Sequence, residues 1–167
     1  MSDTIAHRGR NSFELYRAGN SNLEIRLTVA LVLAGRRWRS ALDEALRPLN
    51  QSAARMEALA AIINSPPMSA QVDIAKRLRI EGPTLTRMLD ALEADGLVQR
   101  LPDPADRRTK QLKVTAKGED ALKEMFDIAD EMRIKLFEGY TDEQLAMLNE
   151  LSWGIVNKLD EGLVPCL

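Results

Sequence analysis

Hydrophobic residues recur at helical spacing along most of this chain. From Leu23 to Leu49 apolar side chains stand three or four positions apart, which predicts one long helix that ends at Pro48. A second helix is predicted from about Ser52 to Ile63, because the two prolines of "NSPP" prevent it from continuing. The pattern therefore predicts a helical N-terminal third, preceded by a polar arm.

The same spacing returns near the C-terminus. One helix is predicted to start after Thr115 and to run past Leu136, and Gly139 ends it. Residues 141–144, "TDEQ", have the sequence of a capping box and should open the last helix. Few residues are aromatic, so the core should consist of Leu, Ile, Val, Met and Ala side chains.

The middle of the chain combines two short helices with a hairpin. Ser69 is predicted to cap the helix "AQVDIAKRL", and Pro83 suits the first turn of the next, "PTLTRMLDALEAD", which Gly96 stops. Apolar and polar residues then alternate in two short segments, as in a two-stranded antiparallel hairpin. The predicted fold class is therefore mainly α with a small β-wing.

Two short helices joined by a tight turn match the helix-turn-helix unit, whose second helix enters the DNA major groove. The first turn of that helix offers Thr84, Thr86 and Arg87. Hydroxyl groups can reach phosphate or base, and an arginine can pair bidentately with guanine. A surface helical hairpin without any ligand would fit the same residues.

The segment "LPDPADRRTKQLKVT" at 101–115 favours DNA binding, because a hairpin after a recognition helix is a wing. Arg107 near its tip would suit the negative potential of a narrow minor groove. Asp106 and Arg108 are interpreted as a pair that holds the shape of the loop. Lys110 and Lys113 on the return strand would meet phosphates.

Charge is distributed unevenly along the chain, although the net charge is only −2. Residues 66–117 carry ten Lys and Arg against seven Asp and Glu, whereas residues 118–167 carry four against twelve. This distribution would suit a protein in which the positive middle segment binds DNA and the negative C-terminal segment lies away from it. Charged helix faces that are simply solvated remain the alternative explanation.

Other classes of function find little support in the sequence. One Cys and one His exclude an internal disulfide framework and argue against a zinc site, so no metal or cofactor is expected. No nucleophile with a base and no phosphate-binding loop is present, so the chain is not expected to be an enzyme. Because it has neither a long apolar run nor a signal-peptide pattern, a cytoplasmic protein without membrane contact is expected.

The stretch "AKRLRIEGPTLTRMLDALEADGLVQRLPDPADRRTKQLKVTAKG" resembles the core of the MarR family of bacterial winged-helix regulators, and "RRWRSALDEALRPLNQSAARMEALAAI" is similar to its SlyA branch. The resemblance implies a winged helix-turn-helix region flanked by N- and C-terminal dimerisation helices. The corresponding segments are a polar arm at 1–22, N-terminal helices at 23–64, the DNA-binding region at 65–116 and C-terminal helices at 117–167.

The same resemblance implies an obligate homodimer that represses transcription from a palindromic operator, with half-sites roughly 34 Å apart. The DNA-contacting positions of the family fall on Thr84, Thr86, Arg87 and Arg107. Those of its wing-stabilising pair fall on Asp106 and Arg108.

Many members of the family leave DNA when a small aromatic or phenolic acid binds between the dimerisation helices and the winged domain. Trp38, Arg39 and Met56 are the candidate neighbours of such an effector, although Trp38 also fits an ordinary core position and Arg39 a solvated one. Cys166 has no evident activating neighbour, so a thiol switch is not expected.

A second class of function is a winged-helix module that contacts proteins and has no specific affinity for DNA. Arg87 and Arg107 distinguish the two classes, because a protein-docking wing would not need both arginines on one surface. Its binding would also not weaken steeply as salt is added.

Overall fold

The computed structural model describes residues 12–103 and 110–162, which form helices and one two-stranded sheet. In chain order the elements are α1 (Ser12–Arg17), α2 (Leu23–Leu46), α3 (Ala53–Ile63), α4 (Gln71–Leu78), α5 (Gly82–Ala94), β1 (Val98–Pro102), β2 (Lys110–Val114), α6 (Ala116–Leu136) and α7 (Asp142–Asp160). A single 3-10 turn at Arg47–Leu49 follows α2. The predicted fold class, mainly α with a small β-wing, is confirmed. The predicted site residues Asp106, Arg107, Arg108 and Cys166 lie outside the described residues.

The chain divides into two compact units, Met1–Phe126 and Asp127–Leu167. The core of the first unit takes side chains from the end of α2, from α3 to α5, from the hairpin and from the first half of α6. These are aliphatic or thioether side chains, as the composition predicts. Its fully buried large side chains are Leu46, Leu59, Ile74, Leu85, Leu89, Leu92, Val98 and Met125.

In the second unit, α7 begins at the predicted capping box. The Thr141 side chain accepts a hydrogen bond from the Gln144 N–H at 3.3 Å, and the Gln144 side chain accepts one from the Thr141 N–H at 3.0 Å. The Thr141 hydroxyl also lowers the pKa of Glu143 by hydrogen bonding to its carboxylate. Reciprocal bonds of this kind satisfy backbone donors that no helical partner can reach, which fixes the start of α7.

Helices α2 and α7 present many of the exposed large apolar side chains. The N-terminal half of α2 carries Leu23, Leu27, Val29, Leu31, Val32 and Leu33, each at least 39% exposed. Helix α7 has no buried residue, and its exposed apolar side chains are Met147, Leu148, Leu151, Trp153 and Leu159. A helix that is apolar on most sides is normally covered by other protein.

The predicted N-cap of α4 is wrong. The cap position is Ala70, which makes no side-chain cap bond, and the Ser69 hydroxyl instead donates to the Pro66 carbonyl at 2.7 Å. The reason lies in the sheet: the Ser69 carbonyl accepts a hydrogen bond from the Leu112 N–H at 3.1 Å, and Ala70 forms an antiparallel bridge with Gln111. Residues 69–70 therefore serve as a short strand segment beside β2, which leaves Ser69 one position too early to cap the helix.

Candidate nucleic-acid interface

Helices α4 and α5 are joined by a short turn that leaves the start of α5 uncapped by any side chain. Arg79 ends α4 in the left-handed conformation, with φ of 53°. Glu81 occupies the N-cap position of α5 in an extended conformation, and Pro83 lies in the first turn. Residues 81–84 are exposed, so the positive end of the helix dipole faces solvent, where a phosphate would be stabilised.

The two faces of α5 differ in character. Leu85, Leu89 and Leu92 are completely buried, whereas Thr84 and Arg87 are exposed. Because each residue of an α-helix advances roughly 100°, Arg87 lies about 200° around the helix from Leu85. The core packing of the leucines therefore presents Thr84 and Arg87 outward, as a helix must if it is to read a groove.

Thr86 lies on the flank of α5, and its hydroxyl group already has partners. It donates to the Gly82 carbonyl at 3.0 Å and accepts a hydrogen bond from the Gln71 side-chain amide at 2.7 Å. With its single proton used, the hydroxyl can only accept, and a phosphate offers no donor. The structure thus gives Thr86 an internal role that the sequence did not indicate, and its contact with DNA stays a prediction.

The hairpin is antiparallel, with Val98 opposite Val114 and Pro102 opposite Lys110. Lys110 and Lys113 are both exposed, but residues three apart on a strand point to opposite faces. The two lysines accordingly border different cavities, and they cannot both face the surface beside α5. Lys110 is the one that borders a cavity with the helix-turn-helix, whereas Lys113 borders one with Met68 and Glu119.

An open groove of about 560 Å³ lies between α4, the turn and the hairpin. Besides apolar residues, Lys76, Arg79 and Lys110 line it. Sequence reasoning overlooked Lys76 and Arg79, although the basic run "KRLR" at 76–79 could have indicated them. In helix-turn-helix proteins the first helix crosses the DNA backbone, so cations at this position match phosphates.

Arg100 on β1 is a third residue that sequence reasoning missed. Its guanidinium lies 2.6 Å from the Asp90 carboxylate and 3.7 Å from that of Glu93, and it donates to the Thr86 carbonyl at 3.1 Å. All three partners belong to α5. No sequence signal could have found this arrangement, because it depends on how the strand lies along the helix.

The three residues predicted to neighbour an effector differ in their exposure. Met56 is buried, at 6% exposure, and Trp38 is half-buried. The guanidinium of Arg39 lies 2.7 Å from both carboxylate oxygens of Glu57, so its charge is already neutralised. An anionic effector would have to compete with Glu57 for Arg39, and the assignment of these residues to an effector site stays a prediction.

Within residues 12–103 and 110–162, no group of three or more His, Cys, Asp and Glu side chains is arranged to hold a metal ion. Among the helices of these same segments, none is both long and apolar enough to cross a membrane.

Comparison with known proteins agrees with this architecture. The model of the MarR family matches residues 52–110. The transcriptional regulator PA3341 is 31% identical, with a TM-score of 0.71 over 81% of this chain and 98% of its own. A cysteine-to-serine mutant of E. coli MarR in complex with operator DNA is 28% identical, with a TM-score of 0.72 over 81% of this chain and 99% of its own.

The transcriptional repressor CouR, solved with a 23-mer DNA duplex, is 29% identical, with a TM-score of 0.72 over 78% of this chain and 92% of its own. The family model covers the helix-turn-helix and the first strand of the hairpin, and the similar structures extend the match to most of the chain. The chain belongs to the MarR family of winged-helix transcriptional regulators.

Proposed function

We propose that this DNA-binding transcriptional regulator is a homodimeric repressor that recognises a palindromic operator. The observation that carries the proposal is the exposed pair Thr84 and Arg87 on the outer face of α5, the recognition helix, at the start of a helix whose dipole faces outward. The E. coli MarR mutant and CouR, which share this architecture, were solved with DNA.

Arg87 would read a base in the major groove. Its guanidinium can donate two parallel hydrogen bonds to O6 and N7 of a guanine, which is the commonest specific contact between a side chain and a base. The Thr84 hydroxyl, at the third position of the recognition helix, can donate to a phosphate oxygen beside that base. The expected readout is thus one bidentate arginine per half-site, positioned by a backbone contact.

The hairpin, hereafter the wing, would extend the contact into the neighbouring minor groove. Arg107 as the inserted cation, and Asp106 with Arg108 as the pair that shapes the loop, remain predictions from the sequence. Lys110 supports a phosphate contact from the described part of the wing, because it borders the same groove as Lys76 and Arg79. Lys113, on the opposite face of β2, is not assigned a DNA contact.

A homodimer would cover the apolar faces of α2 and α7. In α2 the run from Val29 to Gly35 contains only apolar residues and glycine, and its larger side chains are at least 39% exposed in the single chain. In α7 the exposed residues Leu148, Leu151 and Leu159 recur at helical spacing. Two such helices in one chain favour a symmetric assembly in which a second copy buries them.

Release by a small aromatic or phenolic effector stays a prediction that rests on the family resemblance. The Arg39–Glu57 ion pair weakens the case for a binding site at Trp38 and Arg39, since an incoming carboxylate would have to displace Glu57. Titration of simple aromatic acids into the protein–DNA complex, with anisotropy of labelled DNA as the readout, tests this part. An unchanged complex at millimolar acid would refute it for those acids.

The function itself is tested by the binding of purified protein to DNA from around its own gene, in a series of salt concentrations. A repressor of this kind should bind one segment saturably, more tightly than unrelated DNA, and more weakly as salt rises. Arg87→Ala should abolish the preference, whereas Arg37→Ala, which removes an exposed cation from α2, should retain it. If the protein does not prefer this DNA to unrelated DNA at low salt, the result would favour the alternative function, a winged-helix module that contacts proteins.

A further inference from the structure

Arg100 makes the most extensive polar contacts of any wing residue in the part of the chain that the structure describes. Its guanidinium contacts Asp90, Glu93 and the Thr86 carbonyl, and its backbone N–H donates to the Glu93 carboxylate at 3.1 Å. The side chain is only 18% exposed. Several charge-assisted bonds from one largely buried guanidinium hold it more firmly than a single exposed pair such as Lys76–Asp73, which lies at 3.9 Å.

The partners of Arg100 lie along one flank of the recognition helix. Thr86, Asp90 and Glu93 are spaced by four and three residues, so they follow one another along roughly two turns. This flank separates the buried leucines from the exposed face of Arg87. Arg100 therefore fixes the position of β1 along the axis of the recognition helix and its orientation around that axis.

The same residues connect the wing to α4. The Gln71 side chain, in the first turn of α4, donates to the hydroxyl of Thr86, and the carbonyl of Thr86 accepts from Arg100. Thr86 thus connects, through its hydroxyl and its carbonyl, the three elements that face the DNA in the proposed function. Apolar packing of Val98, Leu112 and Val114 secures the base of the wing but supplies no comparable directional contact to the recognition helix.

Arg100 is poorly suited to bind DNA directly. Two carboxylates face its single charge, so a phosphate would have to displace one of them and would itself be repelled by the other. We infer that Arg100 is a positioning residue for DNA recognition: it fixes the wing to the recognition helix and so sets the distance between the major-groove and minor-groove contacts. This inference rests on the proposed function and adds to it a determinant that touches no base.

Removal of Asp90 shows whether Arg100 positions the wing or contacts DNA directly, because the two roles predict opposite changes in affinity for the operator. Deleting a carboxylate near DNA normally tightens binding, and it would also free Arg100 for a phosphate. A positioning role requires the opposite: Asp90→Ala should weaken operator binding on the order of tenfold, because groups in one network couple strongly. Asp73→Ala is the matched control, since Asp73 is an equally exposed carboxylate on α4 and its removal should leave binding unchanged or at most about twofold tighter.

Hydrogen exchange of the free protein gives a second readout that needs no DNA. Arg100→Gln should accelerate exchange of the β1 and β2 amides, while Arg55→Gln should not. Arg55 is also 18% exposed and also pairs with a carboxylate at the end of the recognition helix, Asp95, but it lies on α3. Thermal unfolding of each variant verifies that it is folded.

Weaker operator binding by Asp90→Ala, with Asp73→Ala unchanged and faster exchange in Arg100→Gln, supports the inference. Unchanged or tighter binding by Asp90→Ala overturns it, as does equal exchange in Arg100→Gln and Arg55→Gln. If the wild-type protein prefers no DNA, the proposed function fails and the positioning role fails with it. The exchange comparison then still decides whether Arg100 holds the wing.

Discussion

Gly118 at the start of α6 lies directly against the backbone carbonyl of Leu97, at the point where the wing begins. A Cβ atom built on Gly118 would overlap the Leu97 oxygen and come within 2.7 Å of the Val114 side chain. The Thr115 hydroxyl reinforces this junction, since it donates to the Gly96 carbonyl at 2.7 Å and accepts from the Gly118 N–H at 3.0 Å. The junction requires a glycine because backbone cannot move aside as a flexible side chain could.

Gly118→Ala should therefore lower the free energy of unfolding by about 3 kcal/mol, because the added methyl group forces α6 away from the wing. Urea denaturation at a fixed protein concentration measures this change. Gly82→Ala is the control: apart from its chain neighbours nothing lies within 4 Å of a Cβ there, so stability should change by no more than about 1 kcal/mol, part of it from the following Pro83. Equal stability of Gly118→Ala and wild type would contradict the packing described here.

Arg87→Lys should separate affinity from specificity. Lysine keeps the charge but cannot make the bidentate contact to guanine, so discrimination between operator and unrelated DNA should fall on the order of tenfold per half-site. Affinity for unrelated DNA should hardly change. Anisotropy titrations with both DNAs measure the ratio, and a lysine variant with full specificity would exclude base reading by Arg87.

The opposite orientations of the two wing lysines give a matched pair of variants. Lys110→Ala should weaken operator binding and reduce the slope of log K against log salt by about 0.9 per protomer, because one phosphate contact is lost. Lys113→Ala removes the same charge from the other face of the strand and should leave the slope unchanged. A common effect of both variants would mean that the face of β2 does not decide which lysine meets DNA.

Arg107→Ala should cut operator affinity sharply while the dimer stays intact. It removes one cation per wing from the minor groove, where the negative potential is concentrated. Binding titrations and sedimentation of the same preparation test the two statements together. Undiminished affinity in this variant would refute the assignment of the wing.

Leu151→Glu should disrupt the dimer. Leu151 is 61% exposed in the single chain, and a carboxylate at that position would lie unpaired in an apolar interface. Sedimentation equilibrium should show a large increase in the monomer fraction, and operator binding should fall with it. Glu150→Ala is the control, since Glu150 lies on the side of α7 opposite Leu148 and Leu159. Dimers as stable as wild type in Leu151→Glu would exclude α7 from the interface.

Local signals predicted most of the fold. The capping box at Thr141, the prolines after Ile63 and the alternation in the hairpin each act within a few residues, so their outcome is decided before tertiary packing. Ser69 shows where such signals fail. Its residue type and position suit an N-cap, but its carbonyl accepts a hydrogen bond from the Leu112 N–H as part of the sheet. Because Leu112 lies far along the chain, the residues around Ser69 contain no signal of this pairing.

The candidate site was predicted less completely than the fold. Exposure of Thr84 and Arg87 follows from the leucine spacing in the same helix. Three further features depend on how separate elements pack together. They are the hydrogen bonds of the Thr86 hydroxyl, the different cavities beside Lys110 and Lys113, and the contacts of Arg100 with the recognition helix. The charge of Arg39 suits an anionic ligand, but the sequence did not indicate that Glu57, on the following helix, forms an ion pair with it.

The short strand segment at Ser69 and Ala70 has a consequence for self-association. By pairing with Leu112 and Gln111, it occupies the outer edge of β2, which would otherwise present unpaired backbone groups to other molecules. Open edges of this kind are templates for strand addition and aggregation. On β1 the Arg100 N–H donates to the Glu93 carboxylate at 3.1 Å, and Pro102 at the end of the strand lacks an N–H to donate. The strand edges at the base of the wing are thereby protected from pairing with other copies of the chain.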